Sequence, residues 1–596
     1  MKANVLVPIS SMAAFHHPID VDRLQSVPMR DGIVLYADIY RPRQRDRPLP
    51  VLLMRLPYGR EIASTVVYAH PSWYAAQGYI VVIQEVRGCG RSQGVFEPFR
   101  HEVEDGIDTV QWCRDLPGSS GKVGMYGFSY QGVTQFQAAA RPKTETGLTA
   151  LCPAMAGVQF YDGWYYWGGA LALDFVLPWA IQLAQDSAQF QQLEPQATEL
   201  GRARFQIQQW LHFTPLQELE LLQNQPVGQF YFDWVTATTS DADYHHTLAP
   251  QTQLDRLDTF DFPALHVSGW ADPFLVATLH AYRYCCSKSS QLQKLVIGPW
   301  QHIPWSRQVG DVDFGPEATP NIDRLQIRWF DCWLKDKPNG IDTEAPVQAF
   351  EMGSNRWLDL PDWPPAIQMQ SLWLSSDGLA CGPDNCGRLD LQPAEAANET
   401  VISRTQASAT QIAESFAFDT YVYDPRIATP ATPYGPYDQR AVHRRPDLLL
   451  YTSAPLKQDW AIAGSPTFHL FAATTAVDTD WVVKLMQVDP NGQSLLLTAG
   501  VLRARFRNSF TQPIPVVPDE IIEYDIVLRP TCRLVYAGTC LQVAISSGAF
   551  PWIDRNPNTD RWPASVRFSD FQTAVQTVFH SVECPSRLEL PLREIS

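Results

Sequence analysis

Apolar residues in the first third of the chain fall into short β-rich runs separated by stretches of helical period. Val34–Tyr40 alternates apolar and polar positions, as a half-buried antiparallel strand does. Val51–Met54, Ile80–Ile83 and Val123–Tyr126 are instead continuously apolar, the signature of strands covered on both faces. Glu104–Arg114, between the last two, has a helical period. Strands joined by crossover helices predict a mostly parallel sheet of the α/β class.

From about Tyr161 to Leu248 the pattern changes. Long Gln- and Leu-rich segments such as Ala180–Arg204 carry no strand signal and predict helices inserted as a cap. The strand and helix alternation then resumes, with Pro263–Val267 and Lys294–Ile297 as the last two sheet strands and Asn321–Leu334 as a closing amphipathic helix. Beyond about Glu344 many short alternating runs, among them Thr467–Phe471 and Val482–Leu485, predict an all-β sandwich or jelly roll. No fixed-period repeat points to a solenoid or propeller. The chain of 596 residues exceeds the roughly 250–300 at which a single core stops growing, so several domains are expected. The boundaries read as an α/β domain over residues 1–155 and 253–343, a helical cap over 156–252, and a C-terminal jelly-roll-like β domain over 344–596.

Composition narrows the function classes. With 45% hydrophobic and 18% charged residues, the chain is too apolar for a disordered one. A net charge of −17 repels phosphate backbones and anionic lipid surfaces, which excludes nucleic acid as an expected partner. The segment Met1–His16 lacks the apolar core of a secretion signal, and no stretch approaches the ~20 apolar residues of a membrane span, so a cytoplasmic protein without a membrane partner is expected. Eleven cysteines, an odd number in a large chain, read as reduced thiols; neither Cys285-Cys286 nor Cys381…Cys386 has the spacing of a zinc or redox site, so no metal is expected. Asn398-Glu399-Thr400 matches a glycosylation acceptor and reads as a loop coincidence. The oligomeric state stays open, a homodimer included.

The candidate chemistry begins where the strand Val123–Tyr126 runs into Gly127-Phe128-Ser129-Tyr130-Gln131-Gly132 and then into the helix-compatible stretch Val133–Ala140. A serine at a sharp strand-to-helix turn is held in a strained backbone that projects its hydroxyl from the sheet. Here the second glycine falls three residues after the serine, so the simple Gly-x-Ser-x-Gly pattern is not met. A serine nucleophile needs a base, and the base needs a carboxylate to hold its tautomer. Asp272, in Ser268-Gly269-Trp270-Ala271-Asp272, and His302, in Gly298-Pro299-Trp300-Gln301-His302, each follow a predicted strand and complete the order Ser…Asp…His. The alternatives are a helix cap before Pro273 for Asp272 and a loop histidine bonded to backbone for His302. For the oxyanion, the elbow offers the backbone N–H of Tyr130, and Arg55-Leu56-Pro57-Tyr58-Gly59-Arg60 offers the Tyr58 hydroxyl, unless Tyr58 is a packing residue. His266 reads as a core histidine, and His469 belongs to the β-rich region.

Together with these, Val86-Arg87-Gly88-Cys89-Gly90-Arg91-Ser92-Gln93-Gly94, Tyr421-Val422-Tyr423-Asp424-Pro425, Val477-Asp478-Thr479-Asp480 and Ser546-Ser547-Gly548-Ala549-Phe550-Pro551 run through nearly the whole chain in an order that resembles the CocE/NonD family, the cocaine esterase and X-Pro dipeptidyl-peptidase-like hydrolases. The resemblance implies an α/β-hydrolase fold with an inserted cap and a C-terminal jelly roll, a Ser129, Asp272 and His302 triad, and Tyr58 and Tyr130 as oxyanion donors. It also implies an aromatic acyl pocket at Trp164 and Phe274, whose alternative role is cap packing. The apolar run Pro273-Phe274-Leu275-Val276-Ala277 lacks the acidic residues with which related amino-acid ester hydrolases bind an ammonium group, which disfavours a charged amino substrate. Ile427–Pro436 does not reproduce the apolar pair that cocaine esterases contribute from the jelly roll. The expected reaction is hydrolysis of a small-molecule ester without a cofactor, falling off at low pH as the base becomes protonated. An X-Pro dipeptidyl aminopeptidase or amide acylase with the same triad is the alternative activity, and a non-catalytic carbohydrate or partner module the alternative class.

Overall fold

The computed structural model describes residues 18–43, 46–61, 65–257, 260–378, 380–381, 387–393 and 417–595. The readings made at Met1–His16, Cys386 and Asn398–Thr400 lie outside them. Two compact units emerge, one of residues 18–153, 260–264 and 321–343, the other of 154–257, 265–320 and 344–595.

In the first unit, β1 (Ile19–Pro28), β2 (Val34–Pro42), β3 (Leu49–Leu56), β4 (Ile80–Glu85), β5 (Ser119–Phe128) and β6 (Leu148–Ala154) hydrogen-bond in the order β1-β2-β4-β3-β5-β6. β1, β2 and β4 run antiparallel to one another in turn, whereas β4, β3 and β5 are parallel. Every residue of β3 and β4 is buried, which is why Val51–Met54 and Ile80–Ile83 within them are unbroken apolar runs rather than alternating ones. The sheet is flanked by α1 (Pro71–Ala76), α2 (Glu102–Arg114) and α3 (Tyr130–Ala138), and by the helix Ile322–Lys335. Small residues set the approach distances: a Cβ on Gly124 of β5 would fall 2.7 Å from the Phe330 ring, and one on Gly106 of α2 would fall 3.0 Å from Ala138 Cβ.

The second unit opens with helices. The helices expected around Ala180–Arg204 are α4 (Leu173–Phe190) and α5 (Glu194–Phe205), parted at Gln192, whose φ is 60°. The break falls three residues before Pro195, a helix-start signal that stands within the run. Next come β7 (Ala264–Ala271), α6 (Leu275–Lys288) and β8 (Gln293–Gln301), followed by β9 (Val347–Glu351) and β10 (Arg356–Leu360) in the sheet order β7-β8-β9-β10. β7 and β8 each run four residues beyond the expected strand ends, so Asp272 and His302 follow their strands at once. β9 pairs parallel with β8 and antiparallel with β10, past the boundary read at 343.

From Gln368 to Arg593, thirteen strands among the described residues join into one all-β network. Phe468, Leu470, Trp481, Val483, Ile545 and Leu588 pack into its core, so alternate positions of Thr467–Thr474 point inward and His469 points away. Cys285 is buried and Cys286 exposed, and no described cysteine is in a disulfide. No helix among the described residues is long and apolar enough to cross a membrane.

Candidate active site

Ser129 sits between the end of β5 and the first residue of α3, with φ 60° and ψ −128°. This conformation is costly for a side chain other than glycine, on the order of 1–3 kcal/mol, and persists only where the surroundings enforce it. Here the β5 and α3 backbones enforce it: the Ser129 carbonyl accepts the N–H groups of Gly132 and Val133 at 2.9 and 3.1 Å. The turn requires glycine at 127, where φ is 144° and a Cβ would stand 2.5 Å from Gln131 Cβ. Gln135 ties the elbow to β6, donating to the carbonyls of Gly127 and Cys152 and accepting the Cys152 N–H, all at 3.0–3.2 Å.

Tyr130 supplies the first amide of α3, one of the four that have no acceptor within a helix. Its side chain is fixed from beneath. The hydroxyl donates to Glu102 Oε1 at 2.8 Å and accepts the Phe99 N–H at 3.0 Å, while the ring stacks on Phe99 with centroids 4.3 Å apart. Glu102 in turn pairs with Arg55 at 2.7 Å, both side chains fully buried. Desolvation raises the Glu102 carboxyl above its ordinary range, with Arg55 opposing, and burial beside Glu102 raises the Tyr130 phenol far above its own. Neither Arg55 nor Glu102 announces itself in the sequence, because only tertiary packing brings β3 against the start of α2.

Tyr58 is half-buried two residues past the end of β3, and β3 and β5 are adjacent parallel strands paired at Leu53 and Met125. Tyr58 and Ser129 therefore leave the carboxyl ends of neighbouring strands. The loop that carries Tyr58 is anchored by Arg60, which reaches Asp38 at 2.8 Å and Glu85 at 2.6 Å, all three side chains buried.

In the second unit, Asp272 and His302 leave neighbouring strands β7 and β8 and meet: His302 Nδ1 is 2.8 Å from Asp272 Oδ1. Asp272 is wholly buried, whereas the imidazole keeps 23% of its surface exposed. A carboxylate accepting at Nδ1 fixes the proton there and leaves Nε2 as the basic nitrogen. The glycines of both motifs have steric causes. A Cβ on Gly269 would meet the Trp300 carbonyl at 2.1 Å, and one on Gly298 would meet the Trp300 ring at 2.4 Å. Trp300 donates to the Ala318 carbonyl at 2.7 Å, and Trp305 donates to the His302 carbonyl at 3.1 Å, which holds the histidine turn in place.

The Asp272 turn has a support that the sequence did not reveal. Arg529 Nη2 donates to the main-chain carbonyls of Asp272 and, at 2.8 Å, of Pro273. Its guanidinium packs against the rings of Trp167 and Tyr434, 4.6 and 4.5 Å from their centroids. Trp164 and Phe274 are brought together as a stacked pair, centroids 4.1 Å apart, and each is only 1% exposed. The Phe274 and His302 rings meet at a near-right angle, centroids 5.0 Å apart. Phe175, half-buried and 4.8 Å from Phe274, is the more open ring of this cluster and was not singled out from the sequence. His266 is a core residue, fully buried and 3.1 Å from Gln293 Oε1. His469, Glu523 and Asp525 hold potential metal-ligand atoms within 4.8 Å of one another, but two of the three residues are exposed and Arg587 lies 4.0 Å from Glu523.

A strained serine elbow at the end of a parallel strand, followed in the chain by a buried acid bonded to a histidine, is the equipment of a serine hydrolase of the α/β type. Comparison with known proteins agrees. Residues 31–304 match the family model for X-Pro dipeptidyl-peptidase (S15 family), and residues 339–589 match that for the X-Pro dipeptidyl-peptidase C-terminal non-catalytic domain. Cocaine esterase from Rhodococcus sp. (strain MB1 Bresler) is 32% identical over 595 residues, covering 95% of this chain and 97% of that protein. Among solved structures, an aminopeptidase from a marine-sediment Thaumarchaeota archaeon aligns over 100% of this chain and 99% of its own with a TM-score of 0.79 at 23% identity. An α-amino acid ester hydrolase aligns over the full length of both chains with a TM-score of 0.74 at 24% identity. The chain belongs to the S15 and CocE/NonD family of serine hydrolases, which holds esterases and X-Pro peptidases.

Proposed function

We propose that this enzyme hydrolyses carboxylic esters with an uncharged, bulky or aromatic acyl group, using Ser129 as nucleophile, His302 as base and Asp272 as the carboxylate that orients it. The observation that carries the reading is the 2.8 Å bond between His302 Nδ1 and the fully buried Asp272, which commits Nε2 to accepting a proton. In the first half-reaction Ser129 Oγ attacks the ester carbonyl and its proton passes to His302 Nε2. The oxyanion draws on the Tyr130 amide and the Tyr58 hydroxyl. The imidazolium then protonates the departing alkoxide, and an acyl-enzyme remains on Ser129. Water repeats the sequence with His302 as base, the carboxylic acid leaves and Ser129 is restored.

The apolar run Pro273–Ala277 after the acid, with Phe274, Phe175 and Trp164 clustered beside it, supports an uncharged acyl group. The name of the cocaine esterase relative supports ester rather than peptide chemistry. The test is to treat the protein with a fluorophosphonate, map the adduct by mass spectrometry, and assay p-nitrophenyl esters and Gly-Pro-amide chromogens with wild type and Ser129→Ala. The expected result is an adduct on Ser129 and ester hydrolysis that disappears in the variant. Faster release of the Gly-Pro-amide would transfer the assignment to X-Pro peptidase chemistry, and undiminished hydrolysis by Ser129→Ala would remove the triad.

A further inference from the structure

A cavity of about 430 Å³ lies wholly within the second unit, behind the turn that carries Asp272. Its walls are mostly apolar, formed by Trp167, Val276, Leu279, Ala499, Val501 and Leu502. Val276, Leu279, His280 and Arg283 all line it, at the spacing that puts them on one face of α6. The volume is that of a small-molecule site rather than a packing defect.

Arg529 lines this cavity and is 6% exposed. The Trp167 and Tyr434 rings pack against its guanidinium, and Nη2 is spent on the Asp272 and Pro273 carbonyls. Nε and Nη1 are buried and have no hydrogen-bond partner among the described residues. A buried cationic donor without an acceptor is among the costlier arrangements in a protein, and an anion entering from the cavity relieves it. The other charged groups on the walls leave that role open. Asp525 Oδ1 is paired with His469 Nδ1 at 2.6 Å, and Asp162 Oδ1 accepts the Gly168 N–H at 3.0 Å. Burial raises the Asp162 carboxyl above its ordinary range, with Arg529 opposing, which weakens it as a counter-ion. His280 Nδ1 pairs with Gln159 at 2.8 Å and is shifted down by burial, so it adds little charge, while Arg283 is exposed and adds positive charge.

We infer that the cavity is a second binding site for a carboxylate with an apolar body, its charged end on Arg529 and its hydrophobic part against Val276, Val501 and Leu502. The site is separate from the chemistry proposed at Ser129 and does not depend on it. Because Arg529 also holds the Asp272 turn, a bound carboxylate and that turn share one side chain.

The probe is 2-naphthoate, titrated by calorimetry against the full-length protein, with the isosteric neutral 2-naphthalenemethanol as comparison. Saturable binding of the acid at least about tenfold tighter than the alcohol is expected, with Ser129→Ala binding as wild type does. Filling the cavity from either wall, by Val501→Trp or Val276→Trp, is expected to weaken the acid at least about tenfold in protein whose circular dichroism is unchanged. Arg529→Met is expected to abolish the preference for acid over alcohol, an effect that loosening of the turn alone does not produce. Equal affinity for acid and alcohol, wild-type affinity in both filled variants, loss of binding in Ser129→Ala, or no saturable binding at millimolar concentrations would each overturn the inference.

Discussion

Asp272→Asn is the most informative single change, because the structure leaves the new amide no good orientation. The carboxylate has one bonded oxygen, Oδ1, 2.8 Å from His302 Nδ1, and a second, Oδ2, that is buried with no hydrogen-bond partner among the described residues. If the amide NH₂ takes the Oδ1 position, it must donate to Nδ1, the ring proton moves to Nε2, and the nitrogen that should accept the Ser129 proton is blocked. Placed at the Oδ2 position instead, the NH₂ preserves the tautomer but is left as a buried donor without an acceptor, costing about 1–3 kcal/mol. It also removes the negative charge that steadies the imidazolium. The first orientation satisfies more polar atoms and should dominate, so kcat for a p-nitrophenyl ester is expected to fall by about 10³–10⁴, equivalent to roughly 4–5.5 kcal/mol of lost transition-state stabilisation. KM should change little, because Asp272 is enclosed and not in reach of substrate. Steady-state kinetics and a melting curve on the same preparation separate loss of catalysis from loss of fold. A folded variant within tenfold of wild type would refute the assignment of Asp272 as the orienting acid.

Tyr58→Phe deletes one proposed oxyanion donor and nothing larger, so kcat is expected to drop about 10²–10³ with KM held within a few-fold; a pure KM effect would make Tyr58 a packing residue. Ser129→Gly removes the cost of a non-glycine residue at φ 60°, so it should unfold at higher denaturant than Ser129→Ala by about 1 kcal/mol while both lack activity, and equal midpoints would mean the elbow stores no strain. Burial lowers the pKa of His245, His266 and His443 to about 4 each. Below the ordinary value near 6.5 the unfolded chain takes up protons that the folded one refuses, so stability is full above about pH 6.5 and is lost as pH falls towards 4, by up to ~1.4 kcal/mol per pH unit for each histidine. His443→Gln should flatten that slope in denaturant titrations from pH 7 to 4, and an unchanged slope would place the titration elsewhere.

Much of this molecule is written in local pattern. The unbroken apolar runs at Val51, Ile80 and Val123 specify strands covered on both faces, and β3, β4 and the end of β5 are buried accordingly. The strand, turn and helix around Ser129 follow from Gly127 and the residues beside it, because the backbone must turn within two residues and only glycine tolerates the Gln131 contact. The order Ser, Asp, His is likewise a property of the chain. Whatever depends on two distant segments meeting was decided by the tertiary structure alone. The 2.8 Å bond between Asp272 and His302 exists because β7 and β8 are neighbours, and a pattern of loops does not state a distance. The Arg55, Glu102 and Tyr130 network joins β3, the start of α2 and the start of α3, so its buried charges look like ordinary surface charges in sequence. Arg529 lies more than 250 residues from the turn it holds and is preceded and followed by nothing that marks it. Periodicity reports which way a residue faces within its own element, and only the folded chain determines what it faces.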